Sequence, residues 1–228
     1  MRKDGDALAV SLTPQTRQLK HRAGQFVFVS FPGVGMSEPH PFTLSSAPDP
    51  DGALRISVAP LGDYTRRLMS RIAVGIDAHV EGPFGDFTLP RGPQVWVAAG
   101  IGITPFAAMA GTLTPDDGPV VLIYSVRNRS KAAHLSELEA DAKANPGFTL
   151  ILRETANEGR LDADVVLGHL DDLKGTTVLY CGPVDLRKTL QQGLRRAGLP
   201  VRRFRYEAFE IRTGVGLRYL FRYLTDRR

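Results

Sequence analysis

The spacing of apolar positions changes once along the chain. Up to about residue 92 apolar and polar residues alternate in short runs, LAVSL (8–12), QFVFVSF (25–31) and ALRISVA (53–59), separated by FPGVG, APDPDG and EGPFG. Period-two runs cut by Gly and Pro predict short antiparallel strands closed into a barrel or sandwich. Beyond residue 92, strand-like runs at VWVAA (95–99), VVLIYSV (120–126), FTLIL (148–152), TVLYC (177–181) and RRFRY (202–206) alternate with helical stretches at 104–112, 131–144, 162–172 and 185–197. That rhythm predicts a parallel sheet covered by helices. The expected organisation is an antiparallel β-barrel over 1–91, joined at PRGP (90–93) to an α/β nucleotide-binding domain over 92–209. LAVSL already reads as a mid-barrel strand within a few residues of Met1, so the barrel is expected to be short of its first strand. Residues 210–228 form a basic extension in which Leu217, Leu220, Phe221 and Leu224 fall on one helical stripe, suited to docking on the body, a membrane surface or a partner.

Composition narrows the function classes. A hydrophobic fraction of 43% is enough to build cores in 228 residues. The longest apolar run, VWVAAGIGITPFAAMA (95–110), is interrupted by Gly, Thr and Pro and falls short of a spanning helix. Residues 1–20 lack a secretory pattern, and the cytoplasm, extending to the cytoplasmic face of a membrane, is the expected compartment. One cysteine, Cys181, excludes an internal disulfide framework and a four-cysteine cluster, and the five histidines show no metal-ligand spacing, so no metal is expected. The net charge of +5 invites a nucleic-acid reading. The arginines are too dispersed to support it, and an anionic cofactor or a membrane surface suits the balance as well.

Four motifs carry candidate chemistry. AAGIGITPF (98–106) follows a strand and opens a helix: Gly100 and Gly102 let backbone approach a pyrophosphate, and Thr104 and Pro105 start the helix whose free amides face it. One strand later YSVRNRSK (124–131) sets Ser125, Arg127, Arg129 and Lys131 where a dinucleotide puts its adenosine ribose. Arg with Ser suits a 2′-phosphate, which favours NADPH over NADH. YCGP (180–183) places Cys181, Gly182 and Pro183 at another strand end of the same sheet. HPFTLSSAP (40–48) reads as a turn or as a surface for something flat and polar.

Together with LGDYTRRL (61–68), EGPFG (81–85) and YEAF (206–209), these motifs stand in the order found in the ferredoxin–NADP reductase superfamily. The chain resembles that superfamily over residues 8–209, and within it the flavin dehydrogenase portion of ferric reductases and NADPH oxidases. The resemblance implies FAD held between the two domains. Phe42, after His40 and Pro41, would lie against the isoalloxazine, with Thr43 near the flavin N5 and Ser45 and Ser46 supporting backbone contacts. Gly62 and Thr65 would open a short helix at the diphosphate, with Arg66 or Arg67 nearby, and EGPFG, with Gly82 and Gly85, would form the turn under the flavin. Cys181 and Glu207 would border the nicotinamide, and Phe209 would cover the flavin face. His40 stands where many relatives carry arginine, a departure shared with the ferric reductase and oxidase branch. The implied activity is transfer of hydride from NADPH to FAD and release of single electrons to a membrane haem partner, a ferric chelate or a small carrier. The other reading is a non-catalytic nucleotide-binding or regulatory module on a degenerate barrel.

Overall fold

The computed structural model describes residues 1–207, so Phe209 and the extension at 210–228 lie outside the described residues. Strands β1 (Arg2–Asp4) and β2 (Ala7–Leu12) form a hairpin, followed by β3 (Phe26–Phe31), β4 (Met36–Thr43), β5 (Leu54–Val58), helix α1 (Asp63–Arg71) and β6 (His79–Phe84). They make two antiparallel sheets, ordered β1-β2-β5 and β4-β3-β6, joined by a bridge between Leu44 and Ile56. Between the sheets lie Val10, Val27, Val29, Phe42, Leu44, Ile56 and Val58, closed at one end by Leu68 of α1.

The six-strand barrel therefore has a strand ahead of LAVSL. Arg2–Asp4 pairs with Ala7–Ala9, and the expectation of a missing first strand is corrected. Three residues of polar sequence carry no period-two signal, which is why the strand was not visible. The sequence reading also passed over β4 as a strand and took EGPFG as a turn, because of Pro39, Pro41 and Pro83. Both β4 and β6 are edge strands, where a missing N–H leaves no ladder bond unmade.

The second half runs β7 (Gln94–Ala99), α2 (Thr104–Ala110), β8 (Val120–Val126), α3 (Leu135–Ala144), β9 (Phe148–Glu154), the short α4 (Thr155–Glu158) and α5 (Ala163–Leu167), β10 (Thr177–Cys181), α6 (Val184–Arg196) and β11 (Phe204–Glu207). Its five strands are all parallel in the order β11-β10-β7-β8-β9. Alternate residues feed two cores: Trp96, Leu122, Tyr124, Leu179 and Cys181 on one face, Val95, Val97, Ile123, Val178 and Tyr180 on the other. The order reverses between β7 and β10, so their carboxyl ends frame the crevice where open sheets of this kind bind ligands. The two halves share a core, since Ala7, Ala23 and Phe87 of the barrel pack in the cluster that holds Trp96 and Phe106.

Candidate functional site

On the barrel, His40 lies flat against Tyr64, ring centroids 3.3 Å apart, and its Nδ1 is 3.1 Å from the Glu38 carbonyl oxygen. Tyr64 sits in the first turn of α1, so the structure joins the start of HPFTLSS to the helix that GDYT opens. Burial, then the charge of Glu38, pushes the Tyr64 phenol up to about 12, so it stays protonated and donates to the Glu38 carbonyl at 3.3 Å. Gly62 precedes α1 in extended geometry and donates to Thr65 Oγ1 at 3.1 Å, while that hydroxyl donates back to the Gly62 carbonyl at 3.0 Å. Thr65 thus closes its own turn. The first amides of α1 are the groups left to face an anion, although Asp63 in that turn offsets part of the helix's positive end. Arg66 is tied to the Pro60 carbonyl at 3.0 Å, beside the same turn.

Three residues beyond His40, at the end of β4, the environment changes. Thr43 is 5% exposed, and its Oγ1 is buried without a hydrogen-bond partner among the described residues. An unpaired buried hydroxyl costs roughly 1–3 kcal/mol, which fits a position completed by a ligand atom, as the flavin N5 would complete it. Pro41 is exposed and Gly85 follows β6 with φ +94. Other residues of the motif are placed differently from expectation. Phe42 is 8% exposed and belongs to the barrel core, so most of its ring surface meets protein. Ser45 is fully buried, with its hydroxyl 3.0 Å from Ser57 Oγ, and is not open to a ligand. Ser46 lines a shallow depression with Ser11 and Arg55.

At the sheet, backbone defines the site. Gly100 takes φ +56 with open space around it. A Cβ on Gly102 would sit 2.2 Å from the Cys181 carbonyl oxygen, and one on Gly182 would sit 2.9 Å from Ala99 Cβ. Only glycine allows the β7 and β10 ends to approach this closely. Thr104 Oγ1 donates to the Ile101 carbonyl at 3.1 Å, and Pro105 lies in the first turn of α2, where its missing N–H is no loss. The Pro183 carbonyl accepts from Tyr180 at 2.7 Å, fixing the YCGP turn. Cys181 has no exposed surface, and burial, then Glu207, pushes its thiol well up, so it is a protonated, packed side chain at the strand end. Burial, then Asp86, raises the Glu207 carboxyl to about 7.

Of the cations proposed for a 2′-phosphate, Arg129 pairs with Glu139 and its amide donates to Glu154 at 2.5 Å, while Lys131 pairs with Asp6 at 2.6 Å. Arg127 is exposed and has no ion pair among the described residues. Ser125, 6% exposed, lies at the end of β8 opposite Ala99.

These groups lie along one seam between the halves. Phe26 stands opposite Thr43 on β4 and opposite Phe84 on β6, and its ring would be 3.1 Å from a Cβ on Gly85. Asp86 follows; its carbonyl accepts from Arg205 at 2.9 Å and its charge reaches Glu207. Glu207 is opposite Cys181, which touches Gly102. The sequence reading missed Phe26, Phe84, Asp86 and Arg205. The alternation of Phe and Val in QFVFVSF was the available signal: Val27 and Val29 point inward, which turns Phe26 and Phe28 to the outer face.

Comparison with known proteins agrees with this geometry. The family model of the FAD-binding domain matches residues 2–89, and that of the oxidoreductase NAD-binding domain matches residues 96–192. The chain belongs to the ferredoxin–NADP reductase superfamily. It has the paired FAD- and NAD-binding domains of that superfamily. It is 30% identical over 213 residues to a flavohemoprotein of Bordetella pertussis, covering 82% of this chain and 52% of that protein. It is 29% identical over 202 residues to the ferredoxin reductase component of a 3-ketosteroid-9-alpha-monooxygenase from Rhodococcus rhodochrous, covering 85% and 57%. The chain thus spans little more than half the length of these curated relatives. Among solved structures, a cytochrome P450 reductase of Amycolatopsis superposes with a TM-score of 0.78 at 26% identity, over 92% of this chain and 67% of that one. Among the described residues no helix is long and apolar enough to cross a membrane.

Proposed function

We propose that the chain is an NADPH-dependent flavin reductase that feeds electrons singly to a separate acceptor. When bound, FAD accepts a hydride at N5 and gives up electrons one at a time. The observation that carries the reading is the buried, unpartnered Thr43 hydroxyl, at one end of a seam whose other end is the β7 and β10 crevice. Thr43 would donate toward the flavin N5, and the first amides of α1, beside His40, Tyr64 and Arg66, would hold the diphosphate. Gly100 and Gly102 with the start of α2 hold the dinucleotide pyrophosphate, and Arg127 with Ser125 receives the 2′-phosphate. Glu207, raised to about 7, is about half protonated at the nicotinamide side in neutral solution. Hydride transfer depends on alignment to about 3–3.5 Å more than on a strong acid or base, and the tight Gly102–Cys181 contact supports that alignment.

The acceptor is read from the relatives and from His40. One relative is a flavohemoprotein and another a ferredoxin reductase component, which supports a haem or a protein carrier on a partner. His40 in place of arginine supports the ferric reductase and oxidase type, with a membrane haem partner as the specific form. A second reading, a nucleotide-binding module without flavin chemistry, is favoured by the burial of Phe42 in the barrel core. Reconstitution with FAD decides between them. The expected result is a yellow protein absorbing near 450 nm (a general flavin property) that reduces ferricyanide with NADPH faster than with NADH. A protein that stays colourless and oxidises neither nucleotide sinks the enzyme reading.

A further inference from the structure

His134 is the one non-glycine residue with positive φ among the described residues, at +59°. Left-handed backbone is uncommon for a residue with a side chain and marks a position that its surroundings hold in place. Two contacts hold it. Its amide donates to Asp4 Oδ2 at 3.0 Å, and its imidazole, with no exposed surface, puts Nε2 2.8 Å from Ser57 Oγ. Ser57 Oγ is in turn 3.0 Å from Ser45 Oγ. A second line runs in parallel: Glu137 receives both terminal nitrogens of Arg55 at 2.8 Å, and Arg55 donates to the Ser45 carbonyl. Both lines leave the start of α3 in the nucleotide-binding half and end on Ser45, two residues from Thr43. Leu44 between them is fully buried and its amide bonds to Gln25, so the segment from Thr43 to Ser45 has little freedom of its own.

The far end of the relay is equally specific. His134 closes the loop that begins at Arg127, the loop proposed above to receive the 2′-phosphate. A Cβ on Gly5 would lie 2.7 Å from the Lys131 carbonyl and 2.8 Å from the Ala133 amide, so the β1–β2 hairpin is pressed directly onto that loop. Asp4, His134 and Glu137 also gather possible metal-ligand atoms within 4.8 Å of one another. Arg2 and Arg55 already engage the carboxylates, with Arg2 2.8 Å and 3.4 Å from Glu137 and Asp4. A further cation would meet two guanidinium groups, so the cluster is read as a clasp.

We propose that His134 is a positioning residue: through Ser57 and Ser45 it sets the strand end bearing Thr43, and so makes that placement respond to a nucleotide in the 127–133 loop. The Nδ1 atom faces Glu137 at 3.5 Å and Asp4 at 3.7 Å. Ser57 Oγ stands between His134 Nε2 and Ser45 Oγ, and the Ser45 hydroxyl also reaches the Arg55 carbonyl at 3.3 Å, so the two lines close on one another and a change at either end can break the chain.

This inference rests on the proposed reductase function, and its test separates the two. In the full chain with FAD, NADP⁺ is expected to slow amide exchange at residues 43–46 by about fivefold, what one ordinary hydrogen bond is worth. Ser57→Ala should abolish that protection and slow flavin reduction by NADPH about fivefold, while the KM for NADPH changes less than twofold. Ser57→Thr, which restores a hydroxyl, should recover both. His134→Asn, which tolerates left-handed backbone but is too short to reach Ser57, should behave like Ser57→Ala. If Ser57→Ala folds and keeps wild-type protection and reduction rate, the relay is wrong. Stabilisation of the protein by added Zn²⁺, lost in His134→Asn, would also overturn it, by making the cluster a metal site. If NADP⁺ protects residues 43–46 through Ser57 but NADPH never reduces the flavin, the relay stands and the function reading fails.

Discussion

The barrel edge and the sheet edge meet at one seam, but they are built from different material. At the crevice between β7 and β10 the geometry is set by backbone: Gly102 and Gly182 bring two strand ends into contact, and Cys181 lies buried beneath them. At the barrel edge the candidate groups are side chains: an unpartnered Thr43 hydroxyl and a His40–Tyr64 stack. The crevice cannot change without disturbing the fold, whereas the barrel edge can lose chemistry and keep its packing.

The largest expected effect lies on the sheet side. Gly102→Ala places a methyl 2.2 Å from the Cys181 carbonyl, and the expected destabilisation of roughly 3 kcal/mol or more appears as a melting-temperature drop of about 6–12 °C. Gly100→Ala is the control, because nothing lies within 4 Å of its Cβ and only the left-handed φ of +56 opposes it, at about 1–2 kcal/mol. Equal losses at the two glycines would erase the distinction between edges. Next, Arg127→Ala should raise the KM for NADPH by about tenfold to a hundredfold, the worth of a charge-assisted phosphate contact, with NADH kinetics unchanged; steady-state assays with both nucleotides check it. On the barrel side, Thr43→Val should leave the melting temperature unchanged or raise it, because it removes an unpaired buried hydroxyl, yet slow flavin reduction about fivefold to tenfold. A matching loss of stability would mean that the hydroxyl has a structural partner.

The smallest effect is in pH dependence. The Glu207 carboxyl rises from 4.5 to about 7 on folding, so the folded chain holds that proton more tightly than the unfolded chain. Its contribution to stability is therefore lost as pH rises from about 4.5 through about 7, and is flat above. Glu137, lowered from 4.5 to about 2 by His134 and then Arg55, acts in the opposite sense, and its stabilisation is lost only as pH falls from about 4.5 to about 2. From pH 5 to 8 the melting temperature of wild type should fall relative to that of Glu207→Gln by roughly a few degrees, while Glu137, whose stabilisation is fully present there, adds no pH dependence in that window.

The same difference in material decided what the sequence disclosed. The alternating pattern made β2, β3, β5 and the five parallel strands legible, and GIGITP and YCGP are local signals because glycine at a strand end has a local cause. Thr43 and His40 were found through motif order. Strands β1, β4 and β6 were hidden by polar or proline-rich sequence that edge pairing tolerates. Phe42 was expected to face a cofactor and lies in the core, because a motif fixes residue order and the barrel's curvature fixes which side faces inward. Asp86, Arg205 and the His134–Ser57–Ser45 chain depend on contacts between halves: Arg205 is 119 residues from Asp86 and His134 is 77 residues from Ser57. No local pattern could announce them.

The N-terminal hairpin has a consequence for how the chain is made. Arg2 and Asp4 find their partners 135 and 130 residues later. At about 5–20 residues per second on the ribosome, that is an interval of roughly 7–26 s. During it β1 and β2 can pair with each other and with β5, and Asp4 can meet Arg2, but Asp6 lacks Lys131 and Asp4 lacks the His134 amide. Residues 2–6 are thus among the last of the barrel to be secured, and a nascent chain stalled before α3 would leave the hairpin without the contacts that clasp it.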